Sequence, residues 1–149
     1  FSFSSVTERT RSAYAADRDA GGSSAGTGAG VAASFGVCGV GEDTGGSIRI
    51  PASFNNLYGL RPTTGLVSRT GFSPPVHFQD TPGSMGRCVR DVATMLDAMV
   101  AYDPQDPFTS ATAMAAEAGR YAALLEHGRI EGARIGVLRQ GFGTDDPSS

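Results

Sequence analysis

The chain has 149 residues, 40% of them hydrophobic and 18% charged, with a net charge of -3 at pH 7, enough length and apolar content for one buried core. That charge balance offers no clustered Lys and Arg for nucleic acid, and no apolar run approaches the roughly 20 residues that cross a bilayer. Two cysteines (Cys38, Cys88) and two histidines (His77, His127) lack disulfide-framework and zinc-site spacing, so no metal or cofactor is expected, and both thiols are expected to be buried in a reducing, cytoplasmic setting.

The first twenty residues are polar and aperiodic and read as surface loop. Between Gly21 and Gly46, ten of twenty-six residues are glycine, which marks tight turns or close backbone packing, because glycine weakens regular elements. Within this stretch Ala29–Ser34 reads as a short helix, Gly36–Gly41 as a buried strand and Asp43–Ser47 as the turn after it. Ser47–Asn55 follows as a helix start, and Tyr58–Leu60 as a short strand closed by Pro62. Residues 61–86 are rich in Pro and Gly and read as loop. Val89, Val92, Leu96, Met99 and Val100 then recur at three and four, predicting an amphipathic helix over Cys88–Tyr102 that Asp103-Pro104 ends. An Ala-rich helix over Ser110–Leu125 and a strand at Arg134–Leu138 complete the prediction. Alternating strands and helices predict an α/β fold.

Four readings compete for the glycine-rich region. The Gly28–Ala33 segment has the glycine spacing of a dinucleotide-binding turn, but Gly21–Thr27 cannot supply the strand that such a turn needs. Gly22-Ser23-Ser24-Ala25-Gly26 fits a nucleophile elbow with Ser24 as nucleophile, again with a poor preceding strand. A third reading gives the glycines a purely structural role. The fourth takes two blocks together. Ser47 follows Thr44-Gly45-Gly46 at a helix start, where backbone N–H groups can converge on one point as an oxyanion hole requires. Ser23 or Ser24 could then relay its proton.

Gly21–Gly26, Gly41–Ala52, Gly59–Thr63, Asp80–Gly83, Met85–Arg87 and Arg134–Val137, in that order, resemble the amidase signature family. The resemblance spans nearly the whole chain and implies a mixed β-sheet core covered by helices on both sides. Residues 1–149 would be the central part of one such domain, cut at both ends. It also implies a Ser-cisSer-Lys triad that hydrolyses a carboxamide or acylamide through an acyl-enzyme. By position in the motif, Ser47 corresponds to the nucleophile and Ser23 to the bridging serine of the cis peptide, while the N–H groups of Thr44, Gly45, Gly46 and Ser47 form the oxyanion hole. Asp43 and Arg49 are expected to hold the turn. Ser24 is expected as a supporting hydroxyl or as a direct proton carrier.

The sequence departs from the family pattern at Glu42, where a small hydroxyl residue is expected, and at Ser84, where proline is usual. It also has no lysine, since all twelve basic residues are Arg. The triad lysine would therefore come from sequence outside these residues or from a companion chain, unless the chain is inert. The implied partners are a small amide substrate and a second copy or companion chain, with no direct nucleic-acid or membrane contact. An amidase subunit of a tRNA-dependent amidotransferase fits the same motifs. Phe54, Tyr58, Phe72 and Phe78 are assigned to core packing ahead of an acyl pocket.

Overall fold

A computed structural model describes residues 2–6, 8–73, 76–114, 118–138 and 141. A short hairpin, β1 (Phe3–Ser4) and β2 (Glu8–Arg9), opens the chain. Then come α1 (Ala25–Ala32), β3 (Cys38–Asp43), α2 (Arg49–Phe54), β4 (Tyr58–Gly59), β5 (Thr81–Gly86) and α3 (Val89–Met99). A 3-10 helix at Pro107–Met114 and α4 (Tyr121–His127) follow. The main sheet has the order β3-β5-β4, and both pairings are antiparallel. Helices packed with a sheet confirm the α/β expectation.

The centre of this sheet is a strand that the sequence does not announce. Residues 61–86 read as loop, yet Thr81–Gly86 forms β5, and all six of its residues are buried. Proline at position 82 and glycines at 83 and 86 hide it from pattern reasoning, because strands disfavour both residue types. Packing overrides propensity here. The side chain of Ile48, wholly buried, is the reason. A Cβ added to Gly41 in β3, to Gly59 in β4 or to Gly83 in β5 would come within 2.9–3.2 Å of an Ile48 side-chain atom. One glycine from each strand thus forms the floor on which Ile48 lies, with Met85 and Ala52 closing the core cluster.

Other elements shift for equally local reasons. The helix expected at Ala29–Ser34 runs from Ala25 to Ala32. It takes in Gly28, whose position brings it against Pro51 and Asn55 of the next helix region. The strand expected at Gly36–Gly41 lies two residues later, at Cys38–Asp43. The amphipathic helix forms as predicted, as Val89–Met99, and buries Val92, Ala93 and Leu96.

The single Ala-rich helix at Ser110–Leu125 is not formed. The described residues up to Met114 form the 3-10 segment, residues 115–117 of the expected helix lie outside the described residues, Gly119 takes a φ of 76° outside helical geometry, and α4 begins at Tyr121. Asp97 of α3 starts it, accepting from the Tyr121 N–H at 2.6 Å and the Ala122 N–H at 3.0 Å. Arg134–Leu138 is not a strand, and Ile135, Val137 and Leu138 are exposed. No described strand pairs with it. Both cysteines are free thiols, Cys38 half-buried and Cys88 exposed, so neither is buried as expected.

The glycine floor makes a direct prediction. A methyl group at Gly83 would stand 2.2 Å from the Leu60 carbonyl oxygen and 2.9 Å from Ile48 Cδ1. Gly83→Ala should therefore destabilise the fold by on the order of 2 kcal/mol, read as a lower urea midpoint with an unchanged m-value.

Candidate active site

The turn between β3 and α2 is built around one carboxylate. Asp43, at the end of β3, is fully buried. Its Oδ1 accepts the Gly46 N–H at 2.7 Å, and its Oδ2 accepts the Ile48 N–H at 3.0 Å and the Arg49 N–H at 3.4 Å. The Arg49 guanidinium closes a two-point contact on the same carboxylate, Nε to Oδ2 and Nη2 to Oδ1, both at 3.1 Å. Arg61 Nε lies 3.4 Å from Oδ1 on another side. Burial by itself raises the Asp43 pKa, but the Arg49 side chain and the three backbone donors outweigh it and hold the carboxyl down to about 2. Asp43 and Arg49 thus contact each other across this turn, and Asp43 also takes its backbone N–H groups.

Ser47 sits two residues before α2, half-buried, between Gly46 with a φ of 135° and the buried Ile48. The Ser23 block meets it directly, since the Ser24 N–H donates to the Ser47 carbonyl at 3.1 Å. The Gly22–Ser23 peptide is cis, the geometry that the resemblance implies for the bridging serine. From behind, the buried Asn55 donates to the carbonyls of Ala20 and Pro51 at 2.8 Å, tying this block to α2. Among the described residues neither the Ser23 nor the Ser47 hydroxyl has a hydrogen-bond partner, and Ser23 is exposed.

Ser24 is different. Its hydroxyl donates to the Glu42 carbonyl at 3.3 Å and accepts the Glu42 N–H at 3.2 Å. It therefore stitches the start of α1 to β3. No strand precedes it among residues 12–23, so the elbow geometry is not met, and Gly28–Ala32 lies within α1 and its last turn rather than in a phosphate-binding loop.

The four amides expected to form an oxyanion hole divide. The Gly46 N–H donates to Asp43. The N–H groups of Thr44, Gly45 and Ser47 have no partner among the described residues.

Two residues that motif reasoning left out of the site also hold the turn. The Asp80 carboxylate accepts the Thr44 hydroxyl, and Gln79 Nε2 donates to the Thr44 carbonyl at 2.9 Å. Asp80 lay within a recognised motif, whereas nothing in the pattern marks Gln79. Glu42 points one carboxylate oxygen into a buried, unpartnered position, and burial, with Asp80 adding to it, pushes its pKa up. The four aromatics assigned to the core are all partly exposed. Phe72 lines a cleft of about 430 Å³ beside the buried Arg69–Asp106 pair, and Tyr58 lines a separate one. Among the described residues no three His, Cys, Asp or Glu side chains gather as a metal site. No described helix is long and apolar enough to cross a membrane.

The Ser23 block and Ser47 meet at one turn beside unpaired backbone donors, and comparison with known proteins fixes the family. The chain belongs to the amidase signature family: the Amidase family model matches residues 2–149. It is 44% identical over 131 residues to a glutamyl-tRNA(Gln) amidotransferase subunit of Rubrobacter xylanophilus, covering 88% of this chain and 26% of that protein. The native peptide amidase of Stenotrophomonas maltophilia superposes with a TM-score of 0.78 at 39% identity, over 83% of this chain and 25% of the other. The corresponding glutamyl-tRNA(Gln) amidotransferase subunit of Thermotoga maritima gives 0.63 at 38% identity, over 70% and 23%. The chain spans about a quarter of the length of the curated relatives it matches.

The Asp43 cluster sets a pH dependence. A carboxyl whose pKa drops on folding from 3.8 to about 2 stabilises the fold fully above 3.8, and that contribution is lost as the pH falls toward 2. The stability gap between the wild type and Asp43→Asn, measured by urea unfolding, should be widest near pH 6. It should shrink steadily between pH 4 and pH 2.

Proposed function

We propose that this chain carries the nucleophile of an amide hydrolase, with Ser47 attacking the carboxamide carbon. What supports this most is the backbone bond from Ser24 to Ser47. It presses two serine blocks, far apart in sequence, against each other and leaves the Ser23 and Ser47 hydroxyls without partners among the described residues. Ser47 Oγ forms a bond to the substrate carbonyl carbon, and its proton passes through Ser23 to a neutral lysine. The chain has no lysine, so this base comes from sequence beyond these residues or from a companion chain. Residues 1–149 are on this reading the central portion of the catalytic domain.

The negative charge that develops on the carbonyl oxygen is met by the unpaired N–H groups of Thr44, Gly45 and Ser47. The C–N bond then breaks as the relay returns its proton to the leaving nitrogen, and ammonia or an amine departs. Water attacks the acyl-enzyme and frees the acid, restoring the Ser47 hydroxyl. Asp43, with its Arg49 and Arg61 partners, keeps the turn rigid and takes no part in proton transfer.

A second reading, favoured by the names of the curated relatives, is the same chemistry in service of a partner: ammonia release by the amidase subunit of a tRNA-dependent amidotransferase. Strict dependence on glutamine or asparagine, together with a stable complex, would select it over a free-standing amidase.

The test uses the native enzyme, purified with whatever sequence and companion chains accompany these residues. A fluorophosphonate should label Ser47, located by peptide mass spectrometry. Ser47→Ala should lose on the order of 10⁴-fold or more in turnover, and Ser23→Ala on the order of 10²- to 10⁴-fold. Full activity in Ser47→Ala would end this reading.

A further inference from the structure

The peptide joining Thr44 to Gly45 presents a mechanical problem. Its N–H belongs to Gly45 and has no partner among the described residues, while glycines follow it at positions 45 and 46. Gly45 is exposed, and a Cβ built there would meet nothing within 4 Å. Glycine admits many backbone conformations at little steric cost, so local sterics do not decide which way this peptide faces. An oxyanion donor aimed at random contributes little, because its value lies in being oriented before the charge develops.

We propose that Gln79 is the positioning residue that sets the direction of the Gly45 N–H, an inference that rests on the amide-hydrolase reading above. The Thr44–Gly45 peptide is trans, since the one cis bond among the described residues joins Gly22 to Ser23. In a trans peptide the C=O and N–H point in opposite directions. Gln79 Nε2 donates to the Thr44 carbonyl at 2.9 Å, so this contact fixes the N–H on the far side of the same plane. The chemistry leaves no ambiguity in the Gln79 side chain: a carbonyl only accepts, so the amide nitrogen faces it.

The anchor is itself anchored. Arg61 Nη2 donates to the Gln79 carbonyl at 2.6 Å, Thr64 Oγ1 donates to it at 3.4 Å, and the Gln79 N–H donates to the Val76 carbonyl at 3.0 Å. Arg61 Nε also lies 3.4 Å from Asp43 Oδ1, so one arginine references Gln79 to the carboxylate that shapes the turn. Next door, Asp80 holds the Thr44 hydroxyl and accepts the Val76 N–H at 2.8 Å. Asp80 therefore places the residue, and Gln79 orients the peptide plane after it. Gln79 is exposed and packs no core, so its replacement leaves the fold intact and isolates the orienting contact.

Gln79→Leu removes the donor in a side chain one atom shorter, while Gln79→Glu puts a carboxylate against the carbonyl. In the native enzyme, Gln79→Leu should lower kcat by roughly 10- to 100-fold with KM within about twofold, and Gln79→Glu should lower it further. A substrate-derived aldehyde reports the same contact independently, because its adduct with Ser47 carries an oxyanion. Its affinity should fall by the same factor as kcat. Binding of the amine product, which carries no oxyanion, and the thermal midpoint should stay at wild-type values. Wild-type kcat and aldehyde affinity in Gln79→Leu, with Ser47→Ala inactive, would overturn this inference alone. Losses that match only a reduced folded fraction, counted by active-site titration, would overturn it as well. Full activity in Ser47→Ala would remove the underlying reading instead, and the inference with it.

Discussion

The Asp43 carboxylate is the contact on which the rest depends. A buried charge without partners would be costly, and this one is met by three backbone N–H groups and the Arg49 guanidinium, with Arg61 alongside. Each donor is a positional constraint. Together they bend the chain out of β3, turn it through Gly45 and Gly46 and start α2. Ser47 lies inside that bracket, between two residues whose amides are pinned to one carboxylate. The side chain that does this work is chemically silent: with its pKa held at about 2, it stays ionised at any pH where an amidase acts.

Bringing the second serine block to this turn requires a different set of contacts. Ser24 reaches β3 through the backbone of Glu42 and reaches Ser47 through its own N–H. Asn55 reaches back from the end of α2 to Ala20. These bonds are buried or nearly so, where an unmade hydrogen bond is penalised most. The two blocks are thus held by one main-chain bond and by the side chains of Ser24 and Asn55, and the Ser23 and Ser47 hydroxyls have no partner among the described residues.

The sequence pointed to a candidate site more readily than to the scaffold beneath it. Ser23, Ser47, Asp43 and Arg49 were legible because their neighbours form ordered, unusual blocks, and α3 was legible because Val92 and Leu96 keep helical spacing. Strand β5 was not legible, since Pro82, Gly83 and Gly86 are poor strand residues that only a tertiary environment could select. The break at Gly119 was hidden by the alanines before it. Gln79 and the diversion of the Gly46 N–H to Asp43 belong to a third kind, contacts with no spacing rule to expose them.

The glycine floor under Ile48 has a consequence for how this protein can change. The residue after Ser47 is fixed from below by three strands, through contacts that involve no exposed residue of the surrounding loops. The height of Ser47 is therefore set separately from the loops that surround it. Loops around the turn can be lengthened, shortened or exchanged while Ser47 stays where it is. Positions 41, 48, 59 and 83 form the chassis on which such variation is mounted, and a library aimed at new amide substrates would do well to hold all four constant.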